Sequence, residues 1–201
     1  MVTFEVRRGA ERFVTTRPGS VSRYSFSFGN HYDPRNVSFG PVVAVNDERL
    51  APGAGFESHQ HAGLVIVTFV AWGSLTHDGI ASRVVEAGEV AVLRCGDGVT
   101  HAEHNSGSGE LRFVQTWLTT GSPDRGYAVT RDRIHVDGGS VTAGEISPGR
   151  FTGHLLVATG TVRVGDDVLI EGDSVRTRVP VELEPGEGAT GVLVRLGSEQ
   201  G

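Results

Sequence analysis

The sequence predicts an all-β chain built as two β-barrels in tandem, and three features carry that expectation. Glycine occurs 29 times among 201 residues, against a background rich in valine. Glycine supplies positive φ at tight turns, and valine packs well on a pleated surface. Runs of apolar and polar alternation bounded by Gly, Pro, Asn and Asp recur, whereas almost no window carries a capped 3.6-residue apolar period. A weak internal repeat supplies the third feature. Val70-Ala-Trp-Gly-Ser-Leu75 is echoed by Val157-Ala-Thr-Gly-Thr-Val162, and each copy leads into an acid–Gly turn, Glu86-Ala-Gly-Glu-Val90 or Glu171-Gly-Asp-Ser-Val175. The match is loose, so a single larger sandwich is the competing architecture.

The strands follow in order. Val42–Val45 comes first and is closed by Ala51-Pro-Gly53. Leu64–Ala71, Val84–Glu86, Val90–Leu93 and Leu111–Leu118 follow, separated by His77-Asp-Gly79, Gly96-Asp-Gly98 and Gly107-Ser-Gly109. The second half contributes Leu155–Ala158, Thr161–Val164, Val168–Glu171, Ser174–Arg178 and Gly191–Leu196. Thr119-Thr-Gly-Ser-Pro-Asp-Arg-Gly126 reads as the linker, which divides the chain into units 1–125 and 126–201.

Composition removes several classes of function. All 18 basic residues are arginine, so lysine-based Schiff-base and P-loop chemistry are absent. A net charge of -6 argues against a phosphate-backbone footprint over the whole surface, hence against nucleic acid as partner. The single cysteine, Cys95, rules out a disulfide framework. The N-terminus lacks an apolar h-region, and the longest apolar stretch, near Ala62 to Gly73, is too short to span a bilayer. A cytoplasmic protein with no membrane partner is the expectation.

The histidines are clustered. His59 and His61 flank Gln60, and His101 and Glu103 flank Ala102. On a strand, residues i and i+2 share a face. An H-x-H pair and an H-x-E pair on neighbouring strands therefore converge four ligand atoms on one point. Three imidazoles and one carboxylate suit Fe, Mn, Ni, Cu or Zn, suit Ca poorly, and leave coordination positions open for catalysis. The competing reading is a set of turn histidines with no common partner.

These residues resemble a known family. Gly53-Ala-Gly-Phe-Glu-Ser-His-Gln-His61 with Gly73 is similar to the first cupin motif, and Gly88 through Asn105 resembles the second. Phe26-Ser-Phe-Gly-Asn-His-Tyr-Asp-Pro34, Phe39-Gly40, Val45-Asn-Asp47 and Ala51-Pro-Gly53 narrow the resemblance to the pirin family of bicupins, from about Ser25 to Trp117. The resemblance implies two jelly-roll cupin barrels, with one divalent transition metal in the N-terminal barrel held by His59, His61, His101 and Glu103. Fe(II) is the first choice, with Ni, Mn, Cu, Co or Zn as alternatives. It implies a quercetin 2,3-dioxygenase-like activity on a small aromatic or enolic substrate with O₂, in which Glu103 takes the proton of the substrate hydroxyl. The alternative implied is a metal-binding regulatory or redox-sensing protein without turnover, and a scaffold with no metal is a third. Gln60, Val65 and Ala102 depart from the usual Pro, acidic residue and Ser, and none of them removes a ligand. The C-terminal half has no H-x-H pair, only His135 and His154, so no second metal is expected there.

Around this site Phe56 is the best aromatic candidate for substrate contact. Phe69, Trp72, Phe113 and Trp117 read as barrel core. His77 and His104 either orient a ligand or sit as solvated turn residues. Cys95 reads as a small core residue, and Arg7, Arg8 and Arg12 as a solvated basic face. Oligomeric state has no legible signal.

Overall fold

The computed structural model describes residues 4–197, which form strands joined by turns and one 3₁₀ turn, Gly9–Glu11. In chain order the strands are β1 (Phe4–Arg7), β2 (Phe13–Arg17), β3 (Ser20–Tyr24), β4 (Val42–Leu50), β5 (Gly55–His61), β6 (Leu64–Trp72), β7 (Ser74–Asp78), β8 (Arg83–Glu86), β9 (Val90–Cys95), β10 (Val99–Asn105) and β11 (Leu111–Thr119). The second half adds β12 (Arg125–Thr130), β13 (Ile134–Val136), β14 (Gly139–Glu145), β15 (Gly149–Thr159), β16 (Val162–Val164), β17 (Asp167–Leu169), β18 (Ser174–Pro185) and β19 (Thr190–Leu196).

Two sheets build the N-terminal half. One has the order β12-β9-β6-β11-β4-β3-β2, and the other the order β5-β10-β7-β8. The third sheet, β13-β14-β19-β15-β18-β16-β17, builds the C-terminal half, with β1 added on β18. The halves therefore exchange strands. β1 pairs with β18 from Phe4↔Thr177 to Arg7↔Ser174, and β12 pairs with β9 from Arg125↔Cys95 to Thr130↔Val90.

Alternation explains where the core lies. On β6 and β11 both faces are buried, because one lines the barrel and the other meets the C-terminal half. One apolar cluster crosses that seam, joining Val65, Val67 and Phe69 to Leu156, Ala158 and Val192. Separate clusters fill the C-terminal barrel, around Phe151 and Leu155, and the N-terminal barrel, around Leu111 and Phe113. No helix among the described residues is long and apolar enough to cross a membrane.

Two differences from the sequence reading bear on the site. His59 and His61 belong to a strand of their own, β5, which alternation did not reveal because its polar side chains lie on the rim of the smaller sheet. Gly55 lets this strand lie close on β10, since a Cβ there would collide with the Glu103 carbonyl and the His104 side chain. The second difference concerns the basic N-terminal cluster, which is a solvated face only in part, since Arg8 is 40% exposed but Arg12 is buried. The Arg12 side chain is only 5% exposed and its Nη2 lies 2.9 Å from Asp47 Oδ2, while Arg8 pairs with Asp167 and Asp173. Folding β1 across to the C-terminal half places these arginines in a seam rich in carboxylates.

Candidate metal centre

Strands β5 and β10 run antiparallel, with Val99 opposite His61, Thr100 opposite Gln60 and His101 opposite His59. The register then shifts, so that Glu103 lies opposite Phe56. Cross-strand partners share a face, so the H-x-H pair and His101 converge on one point. Ring centroids are 4.8 Å apart for His59 and His61, 4.5 Å for His59 and His101, and 5.1 Å for His61 and His101. One ligand atom from each of the three lies within 4.8 Å of the other two.

The electrostatics favour the neutral form of the His61 and His101 rings. Burial, followed by the neighbouring His59, lowers His101 to about 3 and His61 to about 4. His59 Nδ1–H donates to the Glu57 carbonyl at 2.7 Å, which leaves its Nε2 lone pair free. His61 Nε2 and both nitrogens of His101 are buried without a hydrogen-bond partner among the described residues. Buried imidazole nitrogens with no partner are costly unless something binds them. The donor set therefore fits a divalent transition ion.

Glu103 is buried on β10 at 3% exposure but is not one of the three clustered residues. Its carboxylate accepts from Gln115 Nε2, at 2.9 Å to Oε1 and 3.1 Å to Oε2. Burial pushes it up to about 7, against the lowering effect of that hydrogen bond. Gln115 is itself held, because Trp117 Nε1–H donates to its Oε1 at 2.7 Å. The Trp117 ring also stands 4.6 Å from His61. Two inward positions of β11 thus fix the Glu103 carboxylate and flank His61.

A cavity of about 500 Å³ opens beside the cluster, lined by His59 and Glu103 together with Phe28, Phe56 and Trp117. Phe56 and Trp117 therefore reach the cavity, whereas Phe69 and Phe113 are core at 2% and 0% exposure. Trp72 lies under the guanidinium groups of Arg49 and Arg112 at 5.1 and 4.9 Å. His77 sits opposite Glu103 on β7, with its ring 4.9 Å from His101 and stacked on Tyr127 at 4.0 Å. His104 turns to the rim, 3.8 Å from Asp78. Burial pushes the Cys95 thiol up to about 11, as suits a packed core residue.

Sequence reasoning missed Gln115, Asn46 and Glu48, all of which line the cavity. The sequence signal was weak, since Asn46 and Glu48 fall in the polar run Asn46-Asp-Glu-Arg49 and Gln115 is followed by Thr116, and only the structure shows that all three are buried. Burial pushes Glu48 up to about 8.

A sequence profile of the Pirin family matches residues 6–118. A Mycobacterium tuberculosis protein named "Putative quercetin 2,3-dioxygenase" is 32% identical over 213 residues, covering 87% of this chain and 86% of that protein. The quercetin 2,3-dioxygenase of Escherichia coli K12 is 34% identical over 116 residues, covering 56% of this chain and 50% of that protein. Among solved structures, the Escherichia coli bacterial pirin YhhW in complex with nickel(II) superposes with a TM-score of 0.83 at 21% identity, covering 97% of this chain and 99% of that one. A quercetin 2,3-dioxygenase of Acinetobacter baumannii gives 0.69 at 14% identity, over 98% and 80% of the two chains. These likenesses establish a bicupin of two cupin-type barrels.

Proposed function

On the premise that this chain belongs to the pirin family, we propose that it is a metal-dependent dioxygenase of the quercetin 2,3-dioxygenase kind. The observation that carries the reading is the cluster of His59, His61 and His101, with unpartnered buried nitrogens, at the edge of a cavity of about 500 Å³. These three residues, with Glu103, are the proposed ligands of one divalent ion. Fe(II) is the first choice, and the nickel(II) held by the bacterial pirin gives Ni(II) equal claim to a loading trial. The proposed division of labour puts the metal in unit 1–125 and none in unit 126–201.

When bound, the ion supplies Lewis acidity toward a substrate hydroxyl and one-electron chemistry toward O₂. The rest is done by side chains. Burial keeps His61 and His101 neutral with their lone pairs available, and the His59 Nδ1–H bond to the Glu57 carbonyl leaves His59 Nε2 free. Glu103, buried and held by Gln115, accepts the hydroxyl proton on a carboxylate oxygen. Gln115 and Trp117 hold that carboxylate in one orientation. Phe28, Phe56 and Trp117 give the cavity apolar faces for an aromatic ring.

The test is quercetin with O₂ and protein loaded anaerobically with Fe(II) or Ni(II). Bleaching of the flavonol with matching O₂ uptake is expected, and Glu103→Gln should lower the rate about 10²–10⁴-fold with metal retained. Absence of O₂ uptake with every metal loaded would overturn the reading in favour of a metal-binding regulatory protein.

A further inference from the structure

Strand β4 runs through the middle of the larger N-terminal sheet, between β11 and β3. Two of its residues, Asn46 and Glu48, are polar, share one face by strand alternation and are 3% and 4% exposed. Both line the cavity next to the candidate metal centre. Neither is fully satisfied by the protein. Asn46 Oδ1 and Glu48 Oε2 are buried without a hydrogen-bond partner among the described residues, although Ser22 gives Glu48 one hydrogen bond. The next residue, Asp47, is as deeply buried but faces the other way, where Arg12 and Arg112 pair with it fully. The fold can satisfy a buried acid on this strand, and at Glu48 it leaves one carboxyl oxygen without a partner. An unpartnered polar group in a ligand cavity is a feature a bare scaffold has no reason to keep.

Register supplies the spacing. Asn46 lies opposite Gln115, the residue that holds Glu103, and Glu48 lies opposite Phe113. Gln115 and Glu48 are thus diagonal neighbours, about 7–8 Å apart by sheet geometry. A polar strip leads from Glu103 through Gln115 and Asn46 to Glu48, flanked by the rings of Phe28, Phe56 and Trp117. A ligand that reaches both Glu103 and Glu48 has to extend along that strip, and a molecule of two or more rings with a second hydroxyl offers such a reach.

We propose that Asn46 and Glu48 are positioning residues that recognise a hydroxyl group on the part of the substrate remote from the metal, and so select polyhydroxylated multi-ring phenols. The inference rests on the dioxygenase reading for the placement of the metal-bound end.

The test compares quercetin with 3-hydroxyflavone, which keeps the chelating hydroxyl and ketone but lacks the other hydroxyls. Anaerobic absorption titrations on Ni(II)-loaded protein read binding without turnover. Wild type should favour quercetin by about tenfold or more, the worth of one well-made hydrogen bond. Glu48→Leu and Asn46→Ala should bring the ratio near unity, with 3-hydroxyflavone affinity and metal content unchanged. Glu48→Gln, which keeps hydrogen-bonding capacity and shape, should retain most of the preference and guards against a folding artefact in the leucine variant. A ratio unaltered in all variants, or equal weakening of both flavonols, would overturn the inference while leaving the dioxygenase reading intact. Failure of wild type to bind either flavonol while holding metal would instead sink the dioxygenase reading, and this subsite with it.

Discussion

His59 and His101 stand directly opposite one another in the β5–β10 ladder, with ring centroids 4.5 Å apart. Forty-two positions of sequence separation are closed by a pairing whose geometry also brings in His61. Because both rings offer nitrogen to the same point, either one removed leaves two histidines. His59→Ala or His101→Ala should therefore lower metal affinity on the order of 100-fold or more, since losing even an orienting partner of a ligand costs about 10–100-fold. Metal content by mass spectrometry on untagged protein checks this. The melting temperature of wild type should rise on loading and fall back on chelation, and that response should vanish in the variants.

Gln115 donates to both oxygens of Glu103 and is the group that opposes the effect of burial there. Gln115→Leu removes a hydrogen bond that favours the charged form. The Glu103 pKa should rise. If Glu103 is the base, the acid limb of the pH–rate profile moves alkaline, and an unmoved limb would count against that role.

Arg112 is fully buried and joins the two halves. Its Nε and Nη2 bind Asp47 at 2.8 and 3.0 Å, and its Nη1–H donates to the Ala158 carbonyl on β15 at 2.7 Å. Arg112→Leu breaks a buried pair from one side and should cost about 3–5 kcal/mol. Arg112→Lys should not restore it, since an ammonium lacks the planar fork. Urea midpoints of the two variants give the comparison.

The pH dependence of stability should have two limbs of opposite sign. Burial lowers His154, packed against Phe26, to about 3. Between about 6.5 and 3 the unfolded chain binds a proton there that the folded one does not, so stability falls as pH drops through that window. Glu48 behaves inversely: the folded carboxyl keeps its proton up to about 8, whereas the unfolded one loses it near 4.5, so stability falls as pH rises between them. Each limb is worth on the order of a few kcal/mol. His154→Phe should make the acid limb shallower, leaving the share of His61 and His101, and Glu48→Gln should do the same to the alkaline limb, leaving the share of Glu103, read from denaturant midpoints at acid, neutral and mildly alkaline pH.

What the sequence determined by itself was local. Turn glycines and period-two alternation disclosed an all-β chain, because both act over a few residues, and strands such as Leu64–Ala71 and Leu111–Leu118 differ from β6 and β11 only at their ends. The H-x-H and H-x-E pairs were legible because ligand chemistry resides in residue type and short spacing. Strand β5 was not, since a rim strand with polar side chains carries no alternation to read. The tertiary structure decided everything that depends on which strand lies beside which. Only register puts His59 opposite His101, Asn46 opposite Gln115 and Gln115 beneath Glu103. Only the pairing of β1 with the C-terminal half brings Arg8 to the buried Asp173, and only the packing of the N-terminal segment brings Arg12 to Asp47. The physical reason is that burial and cross-strand contact are long-range quantities, and they set whether a histidine stays neutral, a carboxyl keeps its proton, or a polar group is left open to a ligand.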